Sequence, residues 1–347
     1  MTSEKKKVIV LPCSWYWERV NLLEENGVEV RRVPDGREDL FYAECREAQA
    51  VVPGLNTITR PMMEQAPHLL IIAAHGVGYN NVDIAAADEL GILVTNNPGA
   101  NSDAVAEFAF GFMLTLVRFF PQVWEEMRKG GWRRPDFWGT ELRGKTLGII
   151  GLGQIGSRVS KLGRAFGMKV LAFDPYISDQ SFRDAGAEAA EKNQVVSQAD
   201  FLTLHTPLTA ETRKMIGGQE LSLMKPTAFL INTARGGVVD ESALLAALNG
   251  GQISGAALDV FENEPPAERA LVQHPRVITA PHIAGLTNEA RYRMGRGASE
   301  RILCAFRGET PPNVVNNPVN PRYRQKGIKR KKFFTAVVHI PSGHHKP

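Results

Sequence analysis

The stretch Thr146-Leu147-Gly148-Ile149-Ile150, followed by Gly151-Leu152-Gly153-Gln154-Ile155-Gly156, decides the fold. A short apolar run bounded by glycine predicts a buried strand. Behind it Ile155, Val159, Leu162 and Phe166 recur at helical spacing. Strand, GxGxxG turn and amphipathic helix in that order leave free N–H groups at the helix start, where a pyrophosphate can approach a backbone without side chains. Asp174 lies 18 residues after Gly156, at the end of the next apolar run. An acid there accepts the ribose hydroxyls of a dinucleotide. Pro175 and Tyr176 follow, so no cation stands ready for a 2′-phosphate, and NAD is favoured over NADP.

Working outward, predicted strands cover Thr146–Ile150, Lys169–Phe173, Phe201–His205, Ala228–Ile231, Ala256–Leu258 and Val277–Ala280, with helical patterns between them. The first hundred residues alternate in the same way. Strands are predicted at Val8–Leu11, Val28–Val33, Ala50–Pro53, Leu69–Ala74 and Ile92–Thr95, with helical segments at Glu18–Asn26, Pro61–Gln65 and Asp83–Leu90. Alternation of this kind predicts parallel sheets with helices on both faces. A long helix over Asn101–Phe119 is apolar almost all round, which predicts burial between domains or at a subunit interface. Lys129–Glu141 reads as an irregular arm. A last helix, Asn288–Phe306, has no further strand to return to in the second series, so it is expected to cross back to the first domain.

The chain has 347 residues, 43% hydrophobic and 22% charged, enough for two soluble domains. No run is long and apolar enough for a membrane span, and Val8–Leu11 is too short for a signal-peptide core, so a cytoplasmic protein is expected. The net charge of +4 belongs to residues 321–347, which carry eight basic residues and no acid. Residues 1–320 hold 33 basic against 37 acidic residues, which gives no nucleic-acid footprint. That tail has little apolar patterning and is expected not to fold. Cys13, Cys45 and Cys304 lack CxxC spacing and are expected to be thiols rather than zinc ligands.

Ligands of open α/β sheets bind beyond the carboxyl ends of the strands. Those ends carry the glycine loop, Asp174, His205-Thr206-Pro207, Thr233-Ala234-Arg235, Asp259 and His282. Hydride transfer to a keto acid needs a fixed cation for the carboxylate, best supplied by the planar fork of Arg. It also needs a proton donor poised near neutral pH, which suggests His, and a carboxylate to keep that His charged. Arg235, His282 and Glu264 are the candidates. His75 and His205 are expected to be structural, and Trp15-Tyr16-Trp17 to pack.

The blocks Asn232-Thr233-Ala234-Arg235-Gly236-Gly237, Ala257 to Pro265, Pro281-His282-Ile283-Ala284-Gly285 and His75 to Asp83 resemble the signature segments of the D-isomer-specific 2-hydroxyacid dehydrogenases, over about residues 8–318. The resemblance implies an α/β fold of two Rossmann-like doubly wound parallel-sheet domains. In it the NAD domain (101–285) is inserted into a flavodoxin-like substrate domain (1–100 and 286–320), and a homodimer forms through the NAD domain. It implies that Arg235 binds the substrate carboxylate and carbonyl, that His282 works as acid and base, and that Glu264 pairs with it. Val77 and Gly78 resemble the loop whose N–H groups hold the carboxylate. Thr206, Pro207, Ala234, Asp259 and Gly285 fall where relatives contact the nicotinamide half of NAD, and Thr212 is counted with them. A Gln at position 264 would instead have favoured a formate-dehydrogenase-like site.

The block from Gly76 to Glu107 resembles the phosphoglycerate-dehydrogenase-like branch. Relatives that use phosphoglycerate tend to carry Arg where this chain has Gly54-Leu55-Asn56 and Ala73-Ala74-His75, and Asn80 stands where Asp is usual. A small acid with an uncharged tail, such as glycerate, hydroxypyruvate or glyoxylate, is therefore expected, unless Arg291, Arg293 or Arg296 faces the cleft. The same scaffold also serves corepressors, the C-terminal-binding proteins, so an NADH-sensing partner-binding protein is the alternative.

Overall fold

The computed structural model describes residues 7–10, 21–33, 37–54, 56–133 and 136–325. In the first part β1 (Lys7–Val10), α1 (Leu22–Glu25), β2 (Glu29–Arg32), α2 (Glu38–Cys45), β3 (Ala50–Val52), α3 (Arg60–Glu64), β4 (Ile71–Ala73), α4 (Ile84–Glu89) and β5 (Leu93–Thr95) alternate. The strands form a parallel sheet in the order β2-β1-β3-β4-β5. That order is the flavodoxin-like one, with its switch point between β1 and β3.

Two helices lead to the second sheet: α5 (Ser102–Arg118) and α6 (Phe120–Arg128). The predicted helix over Asn101–Phe119 ends where Phe119 takes a left-handed conformation (φ 55°), and α6 departs from it at an angle of 59°. Asp103 in the first turn of α5 and Arg118 in its last complement the helix dipole. There follow β6 (Thr146–Ile150), α7 (Gln154–Ala165), β7 (Lys169–Phe173), α8 (Asp179–Ala185), β8 (Glu188–Ala189), α9 (Lys192–Gln198), β9 (Phe201–Leu204), α10 (Gly218–Leu223), β10 (Phe229–Asn232), α11 (Glu241–Asn249), β11 (Gly255–Leu258), β12 (Val277–Thr279), α12 (Asn288–Phe306) and α13 (Arg322–Gln325). The sheet order is β12-β11-β10-β9-β6-β7-β8, again all parallel.

Register decides where the polar residues go. Ile150 lies opposite Phe173 and Leu204, and Asn232 opposite Leu204 and Leu258. The next residue of each strand therefore emerges at one edge: Gly151, Asp174, His205, Thr233 and Asp259. The apolar face of α5 packs its Ala106, Ala109, Phe110 and Met113 with Leu147, Ile149, Ile231 and Ala257 of the second sheet. Helix α12 is capped by Thr287, whose side chain accepts from the Ala290 N–H at 3.1 Å. It returns to the first sheet, burying Ala290, Met294, Ala298 and Ile302 with Ile71, Ala73 and Leu93.

Besides α6, three features differ from the sequence expectation. Helix α2 and the two-residue strand β8 went unseen, the second because Glu188 and Ala189 are exposed and carry no apolar signal. The tail does fold over residues 321–325. Tyr323 is 2% exposed in the core of the first sheet, and Arg322 donates to the carbonyls of Ala66 and Leu69 at 3.0 and 3.3 Å. Its patterning was weak because one buried aromatic among cations makes no periodic stripe. Residues 326–347, Cys13 and the Trp15–Trp17 cluster lie outside the described residues. Tyr323→Ala leaves a cavity beneath α12, and stability is expected to fall by about 3 kcal/mol in a urea titration.

Candidate functional site

Strand β6 delivers the chain into the glycine turn. At Gly151 (φ 90°) a Cβ would stand 2.7 Å from the His205 carbonyl oxygen, and at Gly156 one would fall on the Gly151 carbonyl. Both positions are closed to side chains: the chain leaving β9 at His205 and Thr206 lies against Gly151, and the first turn of α7 packs on Gly151 at Gly156. Gly153, at the N-cap of α7, instead faces open space. Gln154 and Ile155 open the helix, so free N–H groups meet an empty approach, which fits a pyrophosphate. The Asp174 carboxylate accepts from the N–H groups of Leu152 (2.9 Å) and Tyr176 (3.0 Å), which fixes it beside the turn. Thr206 and Pro207 follow His205, and the Thr212 hydroxyl donates to the Pro207 carbonyl at 2.6 Å. This crevice fits a dinucleotide.

Arg235 follows β10 in a turn pinned by Asn232, whose amide donates to the Arg235 carbonyl (3.0 Å) and accepts from the Ala234 N–H (3.0 Å). The guanidinium donates to the Ala234 carbonyl at 2.6 Å and rests on Gly78, where a Cβ would overlap Nη2. Only glycine lets Arg235 reach that loop. Burial pulls the guanidinium pKa down from its ordinary value, with Glu264 opposing, and an Arg in such surroundings stays charged.

The loop itself is wired by two asparagines. The Asn97 side chain donates to the His75 carbonyl (3.1 Å), its N–H to the Gly76 carbonyl (2.8 Å), and the Asn96 side chain to the Val77 carbonyl (2.9 Å). A trans peptide points its N–H opposite its carbonyl. With three carbonyls drawn inward, the N–H groups of Gly76, Val77 and Gly78 are turned away from residues 96–97. Across the cleft Asn80 donates to the Leu208 carbonyl at 3.2 Å.

His282 follows β12 with φ 55°, a left-handed conformation costing about 1–2 kcal/mol for a non-glycine residue. Asp259, 1% exposed, holds it there. The Asp259 carbonyl accepts from the His282 N–H (2.8 Å), and its carboxylate accepts from the Ile283 (2.8 Å) and Ala284 (2.9 Å) N–H groups. Burial pushes the Asp259 carboxyl up, against the pull of those two donors and of His282. The His282 Nδ1 lies 2.6 Å from Glu264 Oε2, while Glu264 Oε1 accepts from the Phe261 N–H at 3.1 Å. Burial pushes the Glu264 carboxyl up, but His282, the Phe261 N–H and Arg235 outweigh it, so its pKa lies below 4.5. Gly285 lies against Asn101, whose amide nitrogen a Cβ there would approach to 2.6 Å.

The structure thus brings Val77, Gly78, Arg235, Glu264 and His282 to one cleft beside the glycine turn. Burial pushes His75 and His205 down to about 4 and about 3, so both are neutral at pH 7 and neither can donate as an imidazolium. Of the helix α12 cations, Arg293 donates to the Ala100 carbonyl (2.8 Å) and Arg296 to Glu300 (2.8 Å). Arg291 contacts Asn288 at 3.5 Å. Asn96, Asn97 and Asn232 were missed as site residues. Asn232 lies close before Arg235 in the sequence, but Asn96 and Asn97 meet the loop only in the fold.

The chain matches the family model described as D-isomer specific 2-hydroxyacid dehydrogenase, NAD binding domain, over residues 110–284. It is 42% identical to a D-3-phosphoglycerate dehydrogenase of Methanocaldococcus jannaschii, covering 92% of this chain and 62% of that protein's length. A glyoxylate reductase of Thermococcus litoralis is 42% identical, with 81% of this chain and 87% of that one covered. The solved structure of an NAD-dependent formate dehydrogenase from Staphylococcus aureus in complex with NAD superposes with a TM-score of 0.77. That match has 30% identity and covers 87% and 96% of the two chains.

The lowered pKa of Glu264 has a consequence for folding. Its contribution to stability is complete above the unfolded value near 4.5 and is lost as the pH falls through the lower folded value. Glu264→Gln is expected to flatten this part of the acid limb, read as the urea midpoint against pH.

Proposed function

Since the chain belongs to the D-isomer specific 2-hydroxyacid dehydrogenase family, we propose that it moves a hydride reversibly between NADH and C2 of a small 2-keto acid, giving the D-2-hydroxy acid. The observation that carries this is the cleft in which Glu264 faces both the His282 imidazole at 2.6 Å and the charge of Arg235. NAD, when bound, supplies the hydride or takes it up. Gly151, Gly153, Gln154, Ile155 and Gly156 hold the pyrophosphate, and Asp174 the adenosine ribose. Thr206, Pro207, Thr212, Ala234, Asp259 and Gly285 line the nicotinamide half.

Arg235 binds the substrate carboxylate and carbonyl as a fork, together with the N–H groups of Val77 and Gly78. His282 gives its proton to the oxygen at C2 as that oxygen becomes an alkoxide, and takes it back in the reverse direction. Glu264 fixes the imidazole through Nδ1, so Nε2 is the nitrogen that exchanges the proton.

The substrate tail is uncharged or modestly polar, as in glyoxylate or hydroxypyruvate. In support, Arg293 and Arg296 are engaged with the Ala100 carbonyl and Glu300, and no Arg stands at positions 54, 56 or 73–75. The NAD-binding unit runs over residues 101–285 and the substrate unit over 1–100 and 286–320, with residues 321–325 joining the latter.

We also propose a homodimer through α6 and the arm that follows. Met127, Trp132 and Trp138 are 50%, 72% and 84% exposed around a cavity of about 510 Å³ that none of the proposed site residues lines. Trp124, also on α6, is 57% exposed. So many exposed aromatics on one segment mark an interaction surface. Trp124→Glu with Met127→Glu is expected to halve the mass measured by light scattering.

The activity is tested by NADH consumption with glyoxylate, hydroxypyruvate, pyruvate and phosphohydroxypyruvate, with NADPH as control. Turnover of about 1 per second or more is expected on one of the first three. His282→Ala should remove at least about 100-fold of it while leaving NADH affinity intact. Tight NADH binding without turnover on any acid would instead favour the NADH-sensing partner-binding protein.

A further inference from the structure

We propose that Asn97 is a positioning residue for substrate, setting the distance between the loop at Val77-Gly78 and the proton donor His282, and that Gly297 on α12 is the gap that lets it act. The proposal rests on the substrate site described above and names residues outside it.

Asn97 is 4% exposed, and both hydrogens of its amide are committed: one to the His75 carbonyl at 3.1 Å, the other to the Met294 carbonyl of α12 at 2.7 Å. One side chain therefore ties the substrate loop to a helix whose N-cap, Thr287, stands five residues after His282. The Asn97 N–H holds the Gly76 carbonyl as well, so the loop cannot slide along α12 without breaking either the Met294 hydrogen bond or both bonds from Asn97 to the loop. The Met294 sulfur lies 4.0 Å from where a Cβ on Gly76 would be, so the helix also packs beneath the loop.

Gly297 makes room for this. A Cβ there would fall on Asn97 Oδ1 and stand 2.8 Å from both Asn97 Nδ2 and Arg301 Nη1. Glycine is the poorest helix former after proline, so one in the interior of a 19-residue helix calls for a packing reason. Here the reason is an amide that faces the helix backbone. Arg301, 8% exposed, donates to the Gly297 carbonyl at 2.7 Å and closes the far side of the pocket. Neither Asn97 nor Gly297 can touch substrate. Their effect passes through the direction of the Val77 and Gly78 N–H groups.

The test uses the full chain with Asn97→Ala, Gly297→Ala and the double variant, measured with the keto acid the unaltered protein turns over best. KM for the keto acid is expected to rise about tenfold in each single variant, with kcat within about threefold and the NADH Kd, from fluorescence titration, unchanged. The double variant should be no worse than Asn97→Ala alone, because the shortened side chain leaves space for the new methyl group. An active unaltered protein whose single variants keep their KM would overturn the proposal and leave the proposed function standing. So would a KM that rises only together with the NADH Kd, or a double variant whose losses add. An unaltered protein inert to every keto acid overturns the site assignment and the proposal with it.

Discussion

The buried residue Asp259 joins three parts of the chain that would otherwise drift apart. Its N–H donates to the Asn232 carbonyl at the end of β10, its own carbonyl accepts from His282, and its oxygens accept from Ile283 and Ala284. The turn carrying Arg235 and the loop carrying His282 are thus fastened to one residue at the end of β11. Those acceptors help to offset the strain of the left-handed backbone at His282. A site built this way keeps its geometry because parallel pairing of β10, β11 and β12 sets the register beneath it.

From that anchor the electrostatics follow. Glu264 stands between the Arg235 cation and the His282 imidazole, and their pull holds its carboxyl below the ordinary glutamate value despite burial. His75 and His205 are neutral, and His282 is paired with the Glu264 carboxylate. On the opposite wall the loop at Val77-Gly78 presents N–H groups because Asn96 and Asn97 take its carbonyls. Arg235 meets that loop where Gly78 has no side chain. Two halves of the chain, each with its own parallel sheet, thereby contribute complementary parts of one cleft.

Much of this was legible because the buried strands of parallel sheets are short apolar runs ending in functional residues. The runs Thr146–Ile150 and Lys169–Phe173 match β6 and β7 at both bounds; β9 and β12 end one residue earlier than expected, where the chain turns into the edge. The glycine turn and Asp174 stand at such ends, and Arg235, Glu264 and His282 follow soon after others, so type and position together pointed to them. What escaped notice had no such signal. Strand β8 is two exposed residues, and α6 is separated from α5 by the backbone of Phe119 alone. Tyr323 is buried by a contact with distant elements, and Asn97 acts through Met294, 197 positions away. Local pattern is blind to contacts of that range.

The central claim is that Arg235 and His282 serve hydride delivery to C2 of a 2-keto acid. It is tested most directly by incubating the protein with a reactive keto acid and NADH carrying deuterium at C4 of the dihydronicotinamide ring. Product is then read by NMR and chiral chromatography. Expected is a D-2-hydroxy acid bearing one deuterium at C2, from one of the two C4-labelled forms of NADH and not the other. Product of L configuration, or product without the label from either form, would contradict it.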